Sequence, residues 1–369
     1  MKAAGIILAG GNNERLGVLT AERATSAMPV AGCYRAIDFT LSNMTNSGIK
    51  KVAVITQYNS RSLRDHLSSS KWWDFGRKQG GLFIFSPFTS KDGSMWFRGT
   101  ADSIYQNMSF LKRSNEKYIV LVNGNGVYKM DYSKLVEYHE EKNADITIAY
   151  NDLNAQDSSK VGMMEFDENG LMTGFEEKPV KTEFSKVSLG IYVMERTLLI
   201  KLLEEIITEG FFDFTRDIIM RYSKILNIYG YRFDGYWSAI NSIDSYYKIN
   251  MDFLEKNVRD EFFKDYPPIA TKPKDTPPAK HNIGAVVKDA IVGDGSILNG
   301  LVEHSVLFRN VYIGDNSVIK NSIIMEGTRI GDNCHIENAI IDKEVVVTGG
   351  KRIAGSKELP TIIMKGETI

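Results

Sequence analysis

Three textures follow one another along the chain. In the first 250 residues, short apolar runs alternate with amphipathic stretches. Ala4-Gly5-Ile6-Ile7-Leu8-Ala9, Lys51-Val52-Ala53-Val54-Ile55-Thr56 and Ala144-Asp145-Ile146-Thr147-Ile148-Ala149-Tyr150 have the length and composition of buried strands. Residues 133–143 and 195–209 have the pattern of helices. Strand, helix, strand in this order predicts a mainly parallel sheet covered on both faces, an α/β domain. Five of the nine prolines then crowd together as Pro267, Pro268, Pro273, Pro277 and Pro278. That density blocks helix and central strand and marks a linker.

After His281 the pattern turns short, repetitive and β-branched. Ile313-Gly314-Asp315-Asn316-Ser317 returns 17 residues later as Ile330-Gly331-Asp332-Asn333-Cys334. Ser305-Val306-Leu307, Ser322-Ile323-Ile324 and Ala339-Ile340-Ile341 return at the same interval. A six-residue beat through Val306, Tyr312, Val318, Ile324, Ile330 and Ile336 predicts inward aliphatics of stacked β-coils, a β-helix. Such an open-ended stack tends to bury an end or side against another subunit. The expected domains are 1–254, a proline-rich linker 255–281, and a β-helix 282–369.

Composition narrows the class. A chain of 369 residues exceeds one ordinary core, in line with two domains. Its 45 basic and 46 acidic residues cancel to a net −1, so nothing favours nucleic acid or a membrane surface. Trp72, Trp73 and Phe75 lack interleaved basic residues and read as packing or subunit contact. Two distant cysteines, Cys33 and Cys334, make no disulfide framework and fit a reducing cytoplasm. The apolar start ends in Gly10-Gly11-Asn12-Asn13 without a clear cleavage site, and reads as a first buried strand. No apolar run reaches about 18 residues, so no membrane span is expected. The five histidines, His66, His139, His281, His304 and His335, show no metal-ligand spacing.

The ordered motifs carry a closer reading. They include Leu8-Ala9-Gly10-Gly11 with Arg15-Leu16, Tyr34-Arg35-Ala36-Ile37-Asp38-Phe39, Leu41-Ser42-Asn43 and Asn46-Ser47-Gly48-Ile49. They continue with Trp96-Phe97-Arg98-Gly99-Thr100-Ala101-Asp102, Tyr128-Lys129-Met130-Asp131-Tyr132 and Phe175-Glu176-Glu177-Lys178-Pro179. Gly190-Ile191-Tyr192-Val193 and Gly235-Tyr236-Trp237 complete the set. In this order the chain resembles the ADP-glucose pyrophosphorylase (glucose-1-phosphate adenylyltransferase) family of bacterial glycogen synthesis, over essentially its whole length. The resemblance implies a Rossmann-like nucleotidyltransferase domain followed by a left-handed parallel β-helix, assembly as tetramers, and a Mg²⁺-dependent reaction. That reaction takes ATP and glucose 1-phosphate to ADP-glucose and pyrophosphate.

Nucleotidyl transfer joins anions, so its catalysis is mostly charge neutralisation and alignment. The family's chemistry needs two aspartates for Mg²⁺, where this chain has Asn125 and Ala239. Family members also place a lysine in Arg-Ala-Lys-Pro; the corresponding stretch here, Arg23-Ala24-Thr25, has Thr25. In the glycine-rich cradle, Gly10, Gly11 and Arg15 remain, while Asn13 and Glu14 replace a glycine and a threonine. An amide can coordinate a metal only without formal charge, and alanine offers no ligand, whereas Mg²⁺ favours carboxylates with phosphate oxygens. Asp131 and Asp234 are the nearby acids. Other positions match: Gly99, Thr100 and Asp102 in a segment like the nucleotide loop, and Glu177, Lys178, Ser188 and Gly190 where the family closes around the sugar phosphate. The alternative reading is that these residues persist because they pack the domain.

The resemblance therefore implies a non-catalytic or weakly catalytic regulatory subunit, the D type of bacterial glycogen synthesis. It would have no intrinsic cofactor. It would pair in a heterotetramer with a catalytic subunit that requires Mg²⁺ and retains the lysine and both aspartates. A sugar phosphate or nucleotide is the implied effector class, with Arg35, Lys50, Lys51, Arg61 and Arg64 as local cations. Two other readings stay open: an active adenylyltransferase with displaced metal ligands, and a stand-alone sugar-phosphate or nucleotide sensor. An acyltransferase using His304 or His335 between coils lacks an announced cofactor groove.

Overall fold

The computed structural model describes residues 2–76, 80–88, 96–152, 158–356 and 358–369. Compaction does not follow chain order. One unit comprises Met1–Asn12, Thr40–Gly124 and Tyr128–Trp237; the other comprises Asn13–Phe39, Asn125–Val127 and Ser238–Ile369.

The first unit is built on a nine-stranded sheet. Its strands are β1 (Ala3–Ala9), β2 (Lys51–Thr56), β3 (Gly81–Phe85), β4 (Tyr118–Asn123), β5 (Ile146–Asp152), β6 (Gly162–Phe166), β7 (Met172–Glu177), β8 (Lys186–Glu195) and β9 (Ile228–Arg232). The order is β7-β6-β8-β4-β1-β2-β3, with β5 pairing both β8 and β9. The apolar runs are indeed strands: β1, β2 and β4 are parallel, with Gly5 opposite both Val52 and Val120. The expectation of a mainly parallel sheet holds, with two strands, β7 and β8, reversed. β8 runs antiparallel to β4, β5 and β6, so the sheet is mixed. The reversal enters through the hairpin of β6 and β7, which needs no crossover helix. Asp167 tightens that turn by accepting from the N–H groups of Asn169 and Leu171.

Helices cover the sheet by their apolar stripes. In α1 (Tyr132–Glu141), Tyr132, Leu135, Val136 and His139 are buried at helical spacing. In α2 (Arg196–Thr208), Leu199, Leu202, Leu203 and Ile206 join the core with Ile119, Leu121, Ile146 and Ile148. Trp73 and Phe75, read from sequence as packing or subunit contact, are buried within the chain; Trp73 ends a short 3-10 turn, Ser70–Trp73.

The second unit contains a parallel β-helix. One ladder stacks Ile297–Leu298, Tyr312–Ile313, Arg329–Ile330 and Val346–Val347 in register. Another stacks Val306 on Ile323 and Ile323 on Ile340, realising the 17-residue repeat. The six-residue beat is corrected in phase: Tyr312 and Val318 face outward, and Ile313 and Ile319 are the fully buried ones. The interior sequence is Leu307, Ile313, Ile319, Ile324, Ile330, Ile336, Ile341 and Val347. Its steps are six, six and five residues, so a coil closes after 17 and a strict six drifts out of phase. Asn310, Asn316 and Asn333 sit at positive φ between the short strands, a conformation asparagine tolerates better than most residues.

The stretch expected as linker from 255 begins as helix, Lys256–Arg259 continued by Asp260–Lys264. Phe262 drives this by packing on Phe39 and Phe253, with ring centroids 5.4 and 5.1 Å apart. Beyond it, residues 268–279 have no regular structure and are tied down within the unit by Thr271 donating to Asp38 and by the Lys274–Glu326 ion pair. Among the described residues, no helix is long and apolar enough to cross a membrane.

Candidate functional site

In an open α/β sheet, ligands gather beyond the carboxyl ends of the strands, where the strand order switches direction. Here that point lies between β1 and β4, since β2 and β3 extend to one side of β1 and β4 lies on the other. Leu8 pairs with Asn123 at those ends. Gly10 leaves β1 against Gln57, where an added Cβ would come within 3.1 Å of the Gln57 side chain; Gly11 faces open space. The first half of the expected cradle is thus open backbone.

The predicted sugar-phosphate residues converge in the same unit. Glu177 and Ser188 both flank Gly162, where a Cβ would meet the Glu177 carboxylate at 3.2 Å and the Ser188 Cβ at 3.3 Å. Lys178 has φ +51°, and its ammonium lies 3.1 Å from the Glu177 carboxylate. Gly190 has φ +68°, and a Cβ there would stand 2.4 Å from the Asn123 amide nitrogen. Only glycine fits that approach without strain. The Gly190 N–H donates to the Ser188 hydroxyl at 3.4 Å.

The segment 98–102 has a different character. Asp102 is fully buried, and its carboxylate accepts from the Arg98 guanidinium at 2.7 Å, the Arg98 N–H at 2.9 Å and the Gln106 amide at 2.8 Å. Thr100 receives the Phe214 N–H at 2.8 Å and donates to Asp213 at 3.3 Å. Gly99 is pressed against the Phe212 carbonyl, which a Cβ would approach to 2.4 Å. These contacts dock the segment on residues 212–214, and the Asp102 carboxylate is taken up by the fold.

A cleft of about 700 Å³ in this unit, bordered by Lys117, His139, Glu195 and Lys201, lies elsewhere. It opens at the start of β4 and the end of β8, away from Asn123 and Gly190, and its lining mixes both signs of charge. His139 there donates to or accepts from Thr147 at 2.8 Å, and burial pushes its imidazole pKa down to about 4.

The second unit carries the emptied positions. Asn13 accepts from the Arg15 N–H at 3.2 Å and starts a 3-10 stretch, Glu14–Thr20; Glu14 and Arg15 are exposed. Thr25 is buried in the turn Thr25–Ala27. Two residues earlier, Arg23 is buried and grips both oxygens of Asp342 at 2.6 and 2.8 Å.

Asn125 and the segment after Ala239 meet. The Asn125 amide nitrogen donates to the Ile240 carbonyl at 3.1 Å and to the Asn241 side-chain oxygen at 3.0 Å. The Ile240 N–H returns a bond to the Asn125 carbonyl at 3.0 Å. The structure thus brings Asn125 against the segment that follows Ala239, and adds Asn241, which carries no motif signal of its own. The spare acids do not substitute. Asp131 caps α1 by accepting from the Ser133 N–H and hydroxyl, and Asp234 pairs with Arg232 at 2.8 Å. Among the described residues, no group of three or more His, Cys, Asp or Glu side chains is placed to hold a metal. At this corner the donor set does not fit Mg²⁺: it has no carboxylate, and N–H hydrogens point at the Ile240 carbonyl, the Asn241 side-chain oxygen and the Asn125 carbonyl.

Comparison with known proteins follows the same division. A family model described as nucleotidyl transferase matches residues 4–256, and one described as GlmU-like, C-terminal hexapeptide matches residues 274–359. A relative named glucose-1-phosphate adenylyltransferase in Clostridium novyi (strain NT) is 39% identical over 317 residues, 85% of this chain and 83% of the relative. A protein of that name in Clostridium acetobutylicum is 39% identical over 320 residues, with the same coverage. One in Thermotoga sp. (strain RQ2) is 39% identical over 321 residues, 85% of this chain and 75% of the relative.

Proposed function

This chain belongs to the nucleotidyl transferase family, and from that premise we propose that it serves as a non-catalytic or weakly catalytic regulatory subunit. Its partner would be a catalytic glucose-1-phosphate adenylyltransferase of bacterial glycogen biosynthesis, in the cytoplasm and as a heterotetramer. The D-type chain would modulate a homologue that converts ATP and glucose 1-phosphate to ADP-glucose and pyrophosphate with Mg²⁺. One observation carries the reading. Where residues 125 and 240–241 meet there is an amide, and alanine precedes them at 239, at the two positions where the resemblance expects carboxylates; Asp131 and Asp234 have partners of their own.

The energetic consequence is large. A bound metal supplies several kcal/mol to a phosphoryl transition state, and each ~1.4 kcal/mol is a decade in rate. Thr25 removes a further cation. Retained Glu177, Lys178, Ser188 and Gly190, with Gly10, Gly11 and Arg15, support binding of a sugar phosphate or nucleotide as effector. The relatives' shared name favours a second reading, an active adenylyltransferase with altered metal ligands.

Turnover separates the two. The purified chain with ATP, glucose 1-phosphate and Mg²⁺ should form little or no ADP-glucose. A kcat in the ordinary range of ~1–10³ s⁻¹ refutes the regulatory reading. Mixed with the catalytic homologue, the chain should co-elute as one larger species and change that enzyme's response to metabolites.

A further inference from the structure

The corner where Asn125 meets Ile240 and Asn241 does more than lack a metal. Two oxygens from the 240–241 segment converge on one nitrogen, at 3.1 and 3.0 Å. A primary amide nitrogen has two hydrogens, and both are used here. We infer that the Asn125 amide stands in the place of a divalent cation, so that this corner of the chain is held together without metal. By the same geometry it is a latent cation site that Asn125→Asp alone would open.

The chemistry is that of donors and acceptors. An ionised carboxylate has no hydrogen to give. With aspartate at 125, its oxygens would face the Ile240 carbonyl, which has no hydrogen to give, and the Asn241 side chain, whose amide would have to turn over to donate. Such a cluster of oxygens is relieved by a hard divalent cation such as Mg²⁺, Mn²⁺ or Ca²⁺, whose ligands are carboxylate and carbonyl oxygens. The backbone is already fixed for this, because the Ile240 N–H bonds the Asn125 carbonyl independently of either side chain. Ala239 next door has no side-chain atom that could ligate a cation. Amide and cation thus do the same mechanical work, drawing the two segments together, by opposite means. The inference concerns the chain alone and holds whether or not it has a catalytic partner.

The test uses the full-length chain in EDTA, in millimolar MgCl₂ and in MnCl₂. Wild type should melt at one temperature in all three, and should take up no Mn²⁺ by electron paramagnetic resonance. Asn125→Asp should melt several degrees lower in EDTA, regain most of that loss in MgCl₂, and bind Mn²⁺. Asn125→Ala should lose stability by an amount that metal leaves unchanged, since it removes the donors without adding oxygen. Three results overturn the inference: Mn²⁺ uptake with Mg²⁺ stabilisation in wild type, equal melting of Asn125→Asp and wild type in EDTA, or an Asn125→Asp loss that Mg²⁺ does not restore. If Asn125→Asp fails to fold in EDTA, refolding it in MgCl₂ must recover it, and failure there counts against the inference as well. The readouts are stability and metal uptake, so loss of the regulatory reading through turnover leaves them untouched.

Discussion

Replacing Asp342 by alanine should damage the second unit far more than its single position suggests. Arg23 contributes one guanidinium nitrogen to both Asp342 oxygens, at 2.6 and 2.8 Å, and its other terminal nitrogen lies 3.4 Å from the Met325 sulfur. The two side chains are 7% and 2% exposed. Alanine at 342 strands a guanidinium whose charge water scarcely reaches. Breaking one partner out of such a buried pair costs about 3–5 kcal/mol, most of it the unmatched charge left behind. Replacing both partners with apolar side chains, Arg23→Met with Asp342→Leu, removes the charge along with the bond. That double variant should lie within about 1 kcal/mol of wild type or above it. Wild type, Arg23→Met, Asp342→Leu and the double variant form a cycle whose coupling energy isolates the pair.

Equilibrium urea unfolding followed by circular dichroism reads the result as a shift of midpoint at unchanged slope. Glu22→Ala serves as a control: Glu22 pairs with Lys365 at 3.0 Å but is exposed, and its loss should be silent. A double variant as unstable as the worse single one would refute the reasoning, because the damage would then come from lost packing. A loss below about 1 kcal/mol in Asp342→Ala would refute it too, by showing that the guanidinium finds water. The pair anchors the stretch that carries Thr25 two residues on.

Other outcomes follow from the same geometry. Gly190→Ala places a side chain at φ +68° and a Cβ 2.4 Å from the Asn123 amide, and should cost about 1–3 kcal/mol in thermal or urea melts. Adding Asn123→Ala should recover the part due to the clash and leave the part due to backbone strain. His139 has a folded pKa lowered to about 4 from 6.5, so the unfolded chain binds its proton first as pH falls. Its stabilisation is complete above about pH 6.5 and is lost as pH falls toward 4, a total of about 3 kcal/mol. His139→Gln should remove that portion of the pH dependence, with little change of slope near neutrality.

Much of the fold was legible because burial leaves a trace in composition. β1, β2 and β5 announced themselves as unbroken apolar runs, since a strand covered on both faces has no polar side to show. Their direction did not show. An apolar run reads alike either way, and β8 turned antiparallel through a hairpin whose glycine and aspartate could have closed many turns. In the β-helix the 17-residue period was visible as repeated Gly-Asp-Asn corners, but the inward phase was not. A period of 17 is not a multiple of six, so each coil takes one short step, and counting by sixes put Tyr312 and Val318 inside where Ile313 and Ile319 belong.

The site divides along the same line between what residue type reveals and what only neighbours reveal. Asn125 and Ala239 stood out from the ordered motifs only because the resemblance leads one to expect aspartates there. Asp102 was readable as a residue in a nucleotide-loop pattern, yet its carboxylate turned out to be enclosed by Arg98 and Gln106, neither of which distinguishes ligand from support in a sequence. Asn241 was silent altogether. Read singly, Asn125 is a carboxylate lost and Asn241 is an ordinary turn residue. Read together, one offers two hydrogens and the other an oxygen that needs one, with the Ile240 carbonyl taking the second. An aspartate at 125 would leave the Ile240 carbonyl facing another oxygen. The asparagine is therefore fitted to its surroundings by its hydrogens, which is a different condition from the mere absence of a charge. It also explains why restoring the carboxylate alone should first cost stability, before any metal can return.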